Sequence, residues 1–361
     1  MIELGEHYGV SRNTIYRWVN RYKDGGVLAL EEASRAPYRH PNATPPETVS
    51  QLIQAKLEHP YWGPKKLVVW LGRRHPEAHY PVPSTTQSIL KKEGLVKKRR
   101  LKRHTPPYTE PFKECLRPND VLSVDYKGQF RMGDGELCYP LTLSDNFSRC
   151  LLVCEGLFHP NFESTWPILE KAFREYGLPI AVRSDNGEPF ASVGLGGISR
   201  LSARLIRLHI VPERIKAGHP EQNGRHERMH RNLKEATCKP PRANMVTQQA
   251  AFDRFRLETN NERPNEAIGM KTPGSLYHPS NRLFPDKLPP VEYDSWITVR
   301  HVRSNGCIKW RGDFVYISQA LAGEPIGLRQ VGEGSWEVMF SFYTLGFLNE
   351  TTGKVSPMFP V

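Results

Sequence analysis

Val-Leu-Ser-Val-Asp-Tyr at residues 121–126 and Ala-Val-Arg-Ser-Asp-Asn-Gly at residues 181–187 decide how this chain folds. Each is a short apolar, β-branched run that reaches an aspartate near its end, the pattern of a buried strand whose last residues leave the core. Between them, Gly133-Asp134-Gly135 reads as a hairpin turn, and Cys138 to Leu143 and Arg149 to Glu155 continue an antiparallel meander. A helix is predicted from Glu163 to Tyr176, stopped by Gly177 and Pro179. Beyond the second run come a helix from Ser199 to Arg207, a short strand from Ile210 to Arg214 and a long helix from Pro220 to Cys238. Three antiparallel strands followed by alternating helices and two more strands describe one α/β domain over residues 118–280, in the order of a ribonuclease-H-like fold.

Upstream, Met1 to Tyr22 reads as a short helix, a turn at Gly9-Val10, and a second helix capped by Ser11 that carries Ile15, Trp18 and Val19 inward. This outlines a helix-turn-helix over residues 1–33, with Gly5 at the small position, Gly9 at the left-handed turn, and Arg12, Asn13, Thr14 and Arg17 placed to face a groove. The motif normally rests on an earlier helix, so the start is expected to be truncated or its start codon misassigned. After a linker from Ser34 to Pro46, the amphipathic stretches Glu47–Leu57, Lys65–Leu71 and Thr85–Glu93 predict a second helical module over residues 45–95. It reads either as a further DNA-binding unit or as a structural spacer. Residues 290–361 are strand-rich, with Ile297–Val302, Ile308–Val315, Ile326–Gln330 and Trp336–Phe347 separated by glycine turns, and predict a small β-barrel. The chain is therefore multi-domain: all-α modules, an α/β core and a β-barrel.

The 361 residues carry a net charge of +12 and are 38% hydrophobic, which points to a polyanionic partner. The charge is clustered: Lys97, Lys98, Arg99, Arg100, Lys102 and Arg103 are six cations in seven residues, within a linker spanning 96–117. Such a run repels itself and stays extended, suited to tracking along phosphates. The six cysteines show no CxxC pair, so neither a disulfide framework nor a zinc site is expected. No apolar run is long enough to span a membrane and no secretory segment opens the chain. A reducing cytoplasm, alongside the cellular DNA, is the expected location.

Phosphodiester chemistry with two divalent ions needs carboxylates that share them, held on rigid elements. Asp125 and Asp185 stand at strand ends, and Asn186-Gly187 turns the chain away after the second. For a third carboxylate, Glu221 lies 36 positions after Asp185 and Glu227 lies 42 after it. Glu221 follows Pro220 at the helix start, where any acidic residue is favoured by the dipole. Glu227 sits further inside, with Arg231 at i+4 and Lys234 at i+7 on one stripe, so it is preferred; an ordinary surface pair of Glu227 with Arg231 is the competing reading. His226 and His230, also at i, i+4, have the spacing for a metal but no further ligands nearby, and read as DNA-facing or solvated. Tyr126 and Trp310 read as packing residues.

Val-Asp-Tyr at 124–126, Arg-Ser-Asp-Asn-Gly at 183–187 and Gly-His-Pro-Glu-Gln-Asn-Gly-Arg-His-Glu-Arg at 218–228 resemble the three catalytic blocks of bacterial insertion-sequence transposases of the DDE class, which have a retroviral-type integrase core. Asn-Glu-Arg-Pro-Asn-Glu-Ala at 261–267 and Thr272-Pro273 through Tyr277 resemble the downstream signature of that family. The resemblance is strong over residues 110–280. It implies that Asp125, Asp185 and Glu227 are the catalytic and metal-binding residues, since the family's glutamate follows Asn-Gly-x-x. It further implies two Mg2+ ions, with Mn2+ as a substitute; cleavage at an element's end; and attack of the freed 3′ hydroxyl on target DNA. Arg231 and Lys234 would hold phosphates, and Asn186 or His219 would orient substrate. Double-stranded DNA is the implied partner, and synapsis of two ends implies at least a dimer. The extra residues relative to the 35-residue spacing of retroviral integrases fall in a glycine-rich stretch, Ser192 to Ser199, expected to form a mobile loop. A regulator that has lost activity and a ribonuclease-H-type nuclease without strand transfer are the competing functions.

Overall fold

A computed structural model of the chain describes residues 2–32, 43–96, 115–192, 194–215 and 224–357. They form two compact units, Met1–Val49 and Ser50–Val361.

In the first unit, α1 (Ile2–Tyr8) and α2 (Arg12–Gly25) form the expected helical hairpin. The Ser11 hydroxyl accepts the Thr14 backbone N–H at 3.2 Å and caps α2. Gly9 turns the chain at φ 63°, and a side chain on Gly5 would meet the Val10 carbonyl oxygen at 2.9 Å. Both glycines thus do what the helix-turn-helix reading required. The inward trio is only half realised. Ile15 and Val19 are half-buried, but Trp18 is 37% exposed and stacks beneath the Arg21 guanidinium.

The next three helices, α3 (Pro46–Glu58), α4 (Pro64–Arg74) and α5 (Pro83–Lys92), enclose Leu52, Trp62, Leu67, Trp70, Leu71 and Leu90. Proline opens α4 and α5 in their first turn, where its missing N–H costs nothing.

The α/β core is a six-stranded mixed sheet. Its strands are β1 (Val121–Tyr126), β2 (Phe130–Arg131), β3 (Leu137–Asp145), β4 (Leu151–Leu157), β5 (Ala181–Ser184) and β6 (Val211–Arg214), in the order β2-β3-β1-β5-β6, with β4 also paired to β3. β1 runs antiparallel to β3 and parallel to β5, and β5 runs parallel to β6. α6 (Phe162–Tyr176) and α7 (Arg200–Arg207) contribute Trp166, Leu169, Phe173, Leu201 and Leu205 to the core that holds Leu122, Val124 and Val182. α8 (Gly224–Thr237) and α9 (Met245–Asn261) close a second cluster with Leu151 and Cys154, in which Leu233 and Phe252 are fully buried. α9 was not anticipated from the sequence. It runs along β4, whose outer edge has no strand partner among the described residues, and its side chains satisfy that edge: the Gln249 carbonyl oxygen accepts the Gly156 N–H, Arg256 donates to the Leu152 carbonyl, and Asn260 bonds both the N–H and the carbonyl of Leu151.

The described residues of the C-terminal region form seven strands where four were expected. β7 (Thr298–His301), β10 (Pro325–Gly332), β11 (Ser335–Phe340), β12 (Tyr343–Asn349) and β13 (Lys354–Pro357) form an antiparallel sheet in the order β13-β12-β11-β10-β7; β8 (Cys307–Trp310) and β9 (Asp313–Tyr316) form a separate hairpin. Both pack around one core containing Ile308, Trp310, Leu328, Val338 and Leu345. The two long predicted strands are each broken by a tight turn, at Arg311-Gly312 and at Ser341, where φ is positive. Among the described residues no ladder joins β7 to β13, so the expected barrel is seen as a sheet and a hairpin sharing a core.

Candidate active site

The parallel register of β1 and β5 pairs Leu122 with Val182 and Ser123 with Arg183. Asp125 and Asp185 each lie two residues beyond this last pair, at the same end of adjacent strands. Asp125 still belongs to β1 and is paired across the sheet with Thr142 of β3. Asp185 stands immediately after β5, and its Oδ1 accepts the Gly187 N–H at 3.1 Å. A Cβ on Gly187 would sit 3.3 Å from both carboxylate oxygens, so a side chain there would press on Asp185. Asn186, expected to orient substrate, instead donates from its amide to the Ile215 carbonyl at 2.8 Å, which fastens this turn to the end of β6. Behind Asp185, the Arg183 guanidinium donates to Glu213 at 2.7 Å across the β5–β6 pair.

α8 passes over Asp125, and here the sequence reading needs correction. His226 and His230 are neither solvated nor DNA-facing: they are 3% and 6% exposed and turn into the sheet. Both Nε2 atoms converge on the Thr142 hydroxyl, at 2.9 Å and 2.7 Å. His230 Nδ1 lies 3.8 Å from Asp125 Oδ2. Among the described residues, Asp125, His226 and His230 are the group whose ligand atoms gather closely enough to hold an ion, all within 4.8 Å of one another. Glu227, Arg231 and Lys234 share the exposed side of α8, as the stripe predicted. At about 100° per residue, Glu227 and Lys234 flank the histidine face by roughly a quarter turn, and Arg231 lies further round. Glu221 and His219 lie outside the described residues, as do Lys97, Lys98, Arg99, Arg100, Lys102 and Arg103 of the basic linker.

Burial pushes His226 down to about 4, and burial together with the charges of His226 and Lys127 pushes His230 down to about 2. Both are therefore neutral in the folded chain. Between pH of about 6.5 and about 4 the unfolded chain binds protons that the folded chain refuses, so stability falls as pH falls through this window. In protein stripped of divalent ions, acidification from pH 7 to 5 is expected to cost about 2 kcal/mol through His226 alone. Urea denaturation at the two pH values checks this: a His226→Gln variant should show a flatter profile than wild type, and parallel profiles would rule the assignment out.

On α2, Arg12, Asn13 and Arg17 are exposed, whereas Thr14 is half-buried with its N–H and hydroxyl both engaged by Ser11. The glycine-rich stretch expected to be a mobile loop is packed. Its described residues form a 3-10 turn, Leu195–Gly197, seated on the C-terminal sheet: Leu195 joins the C-terminal core, a Cβ on Gly196 would meet the Leu345 carbonyl oxygen at 3.0 Å, and Arg214 donates to the Gly196 carbonyl. Tyr126 and Trp310 pack as expected; the Tyr126 hydroxyl lies 2.7 Å from Thr165 Oγ1, and Trp310 is 6% exposed.

Comparison with known proteins gives two family matches. Residues 14–90 match the homeodomain-like domain, and residues 208–273 match the integrase core domain, a stretch that contains His226, Glu227 and His230 but neither Asp125 nor Asp185. A 72-residue stretch is 38% identical to the Gag-Pol polyprotein of baboon endogenous virus (strain M7), covering 20% of this chain and 4% of that polyprotein. Among solved structures, the chain is similar to the HTLV-2 integrase catalytic core domain in complex with magnesium (trimeric form), at 16% identity and TM-score 0.36, covering 46% of this chain and 100% of that one. It is also similar to a chain of the simian T-cell lymphotropic virus intasome in complex with PP2A regulatory subunit B56 gamma, at 17% identity and TM-score 0.40, covering 80% and 97%. The chain therefore carries a homeodomain-like stretch followed by an integrase core stretch.

Proposed function

We propose that this chain is a DNA transposase of the DDE class from a bacterial insertion sequence, which cuts the ends of a mobile element and joins them to target DNA. The observation that supports the reading is that Asp125 and Asp185 stand at the same end of adjacent parallel strands, in a sheet against which the helix bearing Glu227 packs. Such carboxylates are hard oxygen donors suited to Mg2+, with Mn2+ as a substitute. Asp125, Asp185 and Glu227 would hold two ions. Bound there, the ions offset charge on the phosphate and lower the barrier to attack by an oxygen nucleophile. The Gly187 turn holds the Asp185 carboxylate in place, and the Thr142 pairing fixes the strand that carries Asp125. Arg231 and Lys234, exposed beside Glu227, suit the DNA backbone, and Arg12, Asn13 and Arg17 suit a groove. In this reading the modules at 1–33 and 45–95, the linker at 96–117 and the β-rich region at 290–361 grip DNA around a core at 118–280. At least two copies assemble on paired ends, in the bacterial cytoplasm at the nucleoid.

The test is to sequence the DNA flanking the gene, where inverted repeats are expected, and to use those ends in a strand-transfer reaction with Mg2+. Joined products are the expected result. Nicks without joining would identify a nuclease, and a mobility shift with intact DNA a regulator.

A further inference from the structure

Thr142 is fully buried, and its hydroxyl has one proton and three neighbours: the Asp125 carbonyl oxygen at 3.1 Å and the Nε2 atoms of His226 and His230. A carbonyl can only accept. The one arrangement that satisfies all three contacts gives the hydroxyl proton to Asp125 and has both imidazoles donate Nε2–H to the Thr142 oxygen. Both Nδ1 atoms are then lone pairs. That of His230 faces the Asp125 carboxylate at 3.8 Å, and that of His226 has Ser144 Oγ at 3.5 Å.

The same arrangement is how proteins prepare histidines for a metal: one ring nitrogen is tied to an acceptor so that the other presents its lone pair. His226 and His230 sit at i, i+4 on one helix face, with ring centroids 4.7 Å apart. Together with Asp125, their ligand atoms span no more than 4.8 Å. Closing on an ion at about 2.0 to 2.2 Å from each donor requires the rings to turn their Nδ1 atoms toward Asp125.

We propose that Asp125, His226 and His230 form a site for a borderline divalent transition-metal ion of the Zn2+ or Co2+ class, with Thr142 as the residue that orients both imidazoles. Two neutral imidazoles and one carboxylate are the donors such ions favour, whereas Mg2+ prefers oxygen and keeps its water. The site shares Asp125 with the proposed DNA-cutting centre but uses neither Asp185 nor Glu227. It stands whether or not the chain transposes DNA.

The test uses the full chain without DNA. Zn2+ affinity is measured by competition with a chromophoric chelator, and Co2+ binding by its visible absorption, each against excess Mg2+. The expected result is one bound ion that Mg2+ does not displace, an affinity at least about 100-fold weaker in His226→Gln and in His230→Gln, and unchanged affinity in Asp185→Asn. Thr142→Ser, which keeps the hydroxyl, should bind like wild type. Equal affinity in wild type and both histidine variants, or loss of binding in Asp185→Asn alone, would overturn the site. Imidazole 15N spectra of wild type need no variant: Zn2+ should shift two of the thirteen histidines, with Nδ1 as the metal-bound atom. No shift, or a different pair moving, would equally overturn it.

Discussion

Replacing Glu227 by Gln is expected to abolish end cleavage and strand transfer, while Glu221→Gln leaves both close to wild type. The carboxylate and the amide are nearly the same shape, so the variant removes charge and little else. Glu227 is exposed on α8, so no buried partner is lost with that charge. What remains is the electrostatic contribution to holding a divalent ion at a developing phosphoryl charge, worth several kcal/mol. At about 1.4 kcal/mol per factor of ten, the rate should fall by about 10²- to 10³-fold. The geometry narrows the choice of glutamate. His230, three residues after Glu227, touches Asp125, so Glu227 lies one turn from that contact on an adjoining face of the same helix. Single-turnover cleavage rates with Mg2+ check the pair, and a Glu221→Gln variant that fails while Glu227→Gln turns over would reverse the assignment.

The strands carrying the two aspartates were legible because their neighbours are apolar on both faces: Val121, Leu122 and Val124 in β1, and Ala181 and Val182 in β5, are all buried. The helix-turn-helix was legible for a different reason, since Gly9 and Ser11 have chemistry that a turn and a cap require. α9 was hidden because polar residues interrupt the apolar side, with Phe252 and Phe255, that it presents to β4. Gln249, Arg256 and Asn260 serve the backbone of an unpaired strand edge, so counting apolar periodicity passes over them. The breaks at Arg311-Gly312 and Ser341 were hidden because the strands on either side continue the same pattern and the turns lack an Asn-Gly or Asp-Gly signature. The histidines of α8 were visible as a pair, but not their burial. Their hydroxyl partner is Thr142, 84 and 88 residues away, and local spacing says nothing about such a partner.

That partner gives the largest stability effect expected from a single conservative change in the core. Thr142→Val keeps the shape of the side chain and its β-branching, so neither packing nor strand preference should suffer. It removes the one oxygen that receives two imidazole N–H groups in a place where no water is expected to replace it, since Thr142 is 0% exposed and both rings are nearly as deep. Leaving a buried donor unsatisfied costs about 1 to 3 kcal/mol, so two donors should cost about 2 to 6 kcal/mol. Thr142→Ser makes the opposite cut, losing a methyl group and keeping the hydroxyl, and should cost only about 1 kcal/mol. If burial of apolar surface were what mattered at this position, the order would invert, because valine is the more apolar of the two. Chemical denaturation of the three proteins at pH 7 therefore distinguishes a packing role from a hydrogen-bonding one. The order wild type, Ser, Val is the one that requires both histidines to be neutral, Nε2-protonated and turned toward β3.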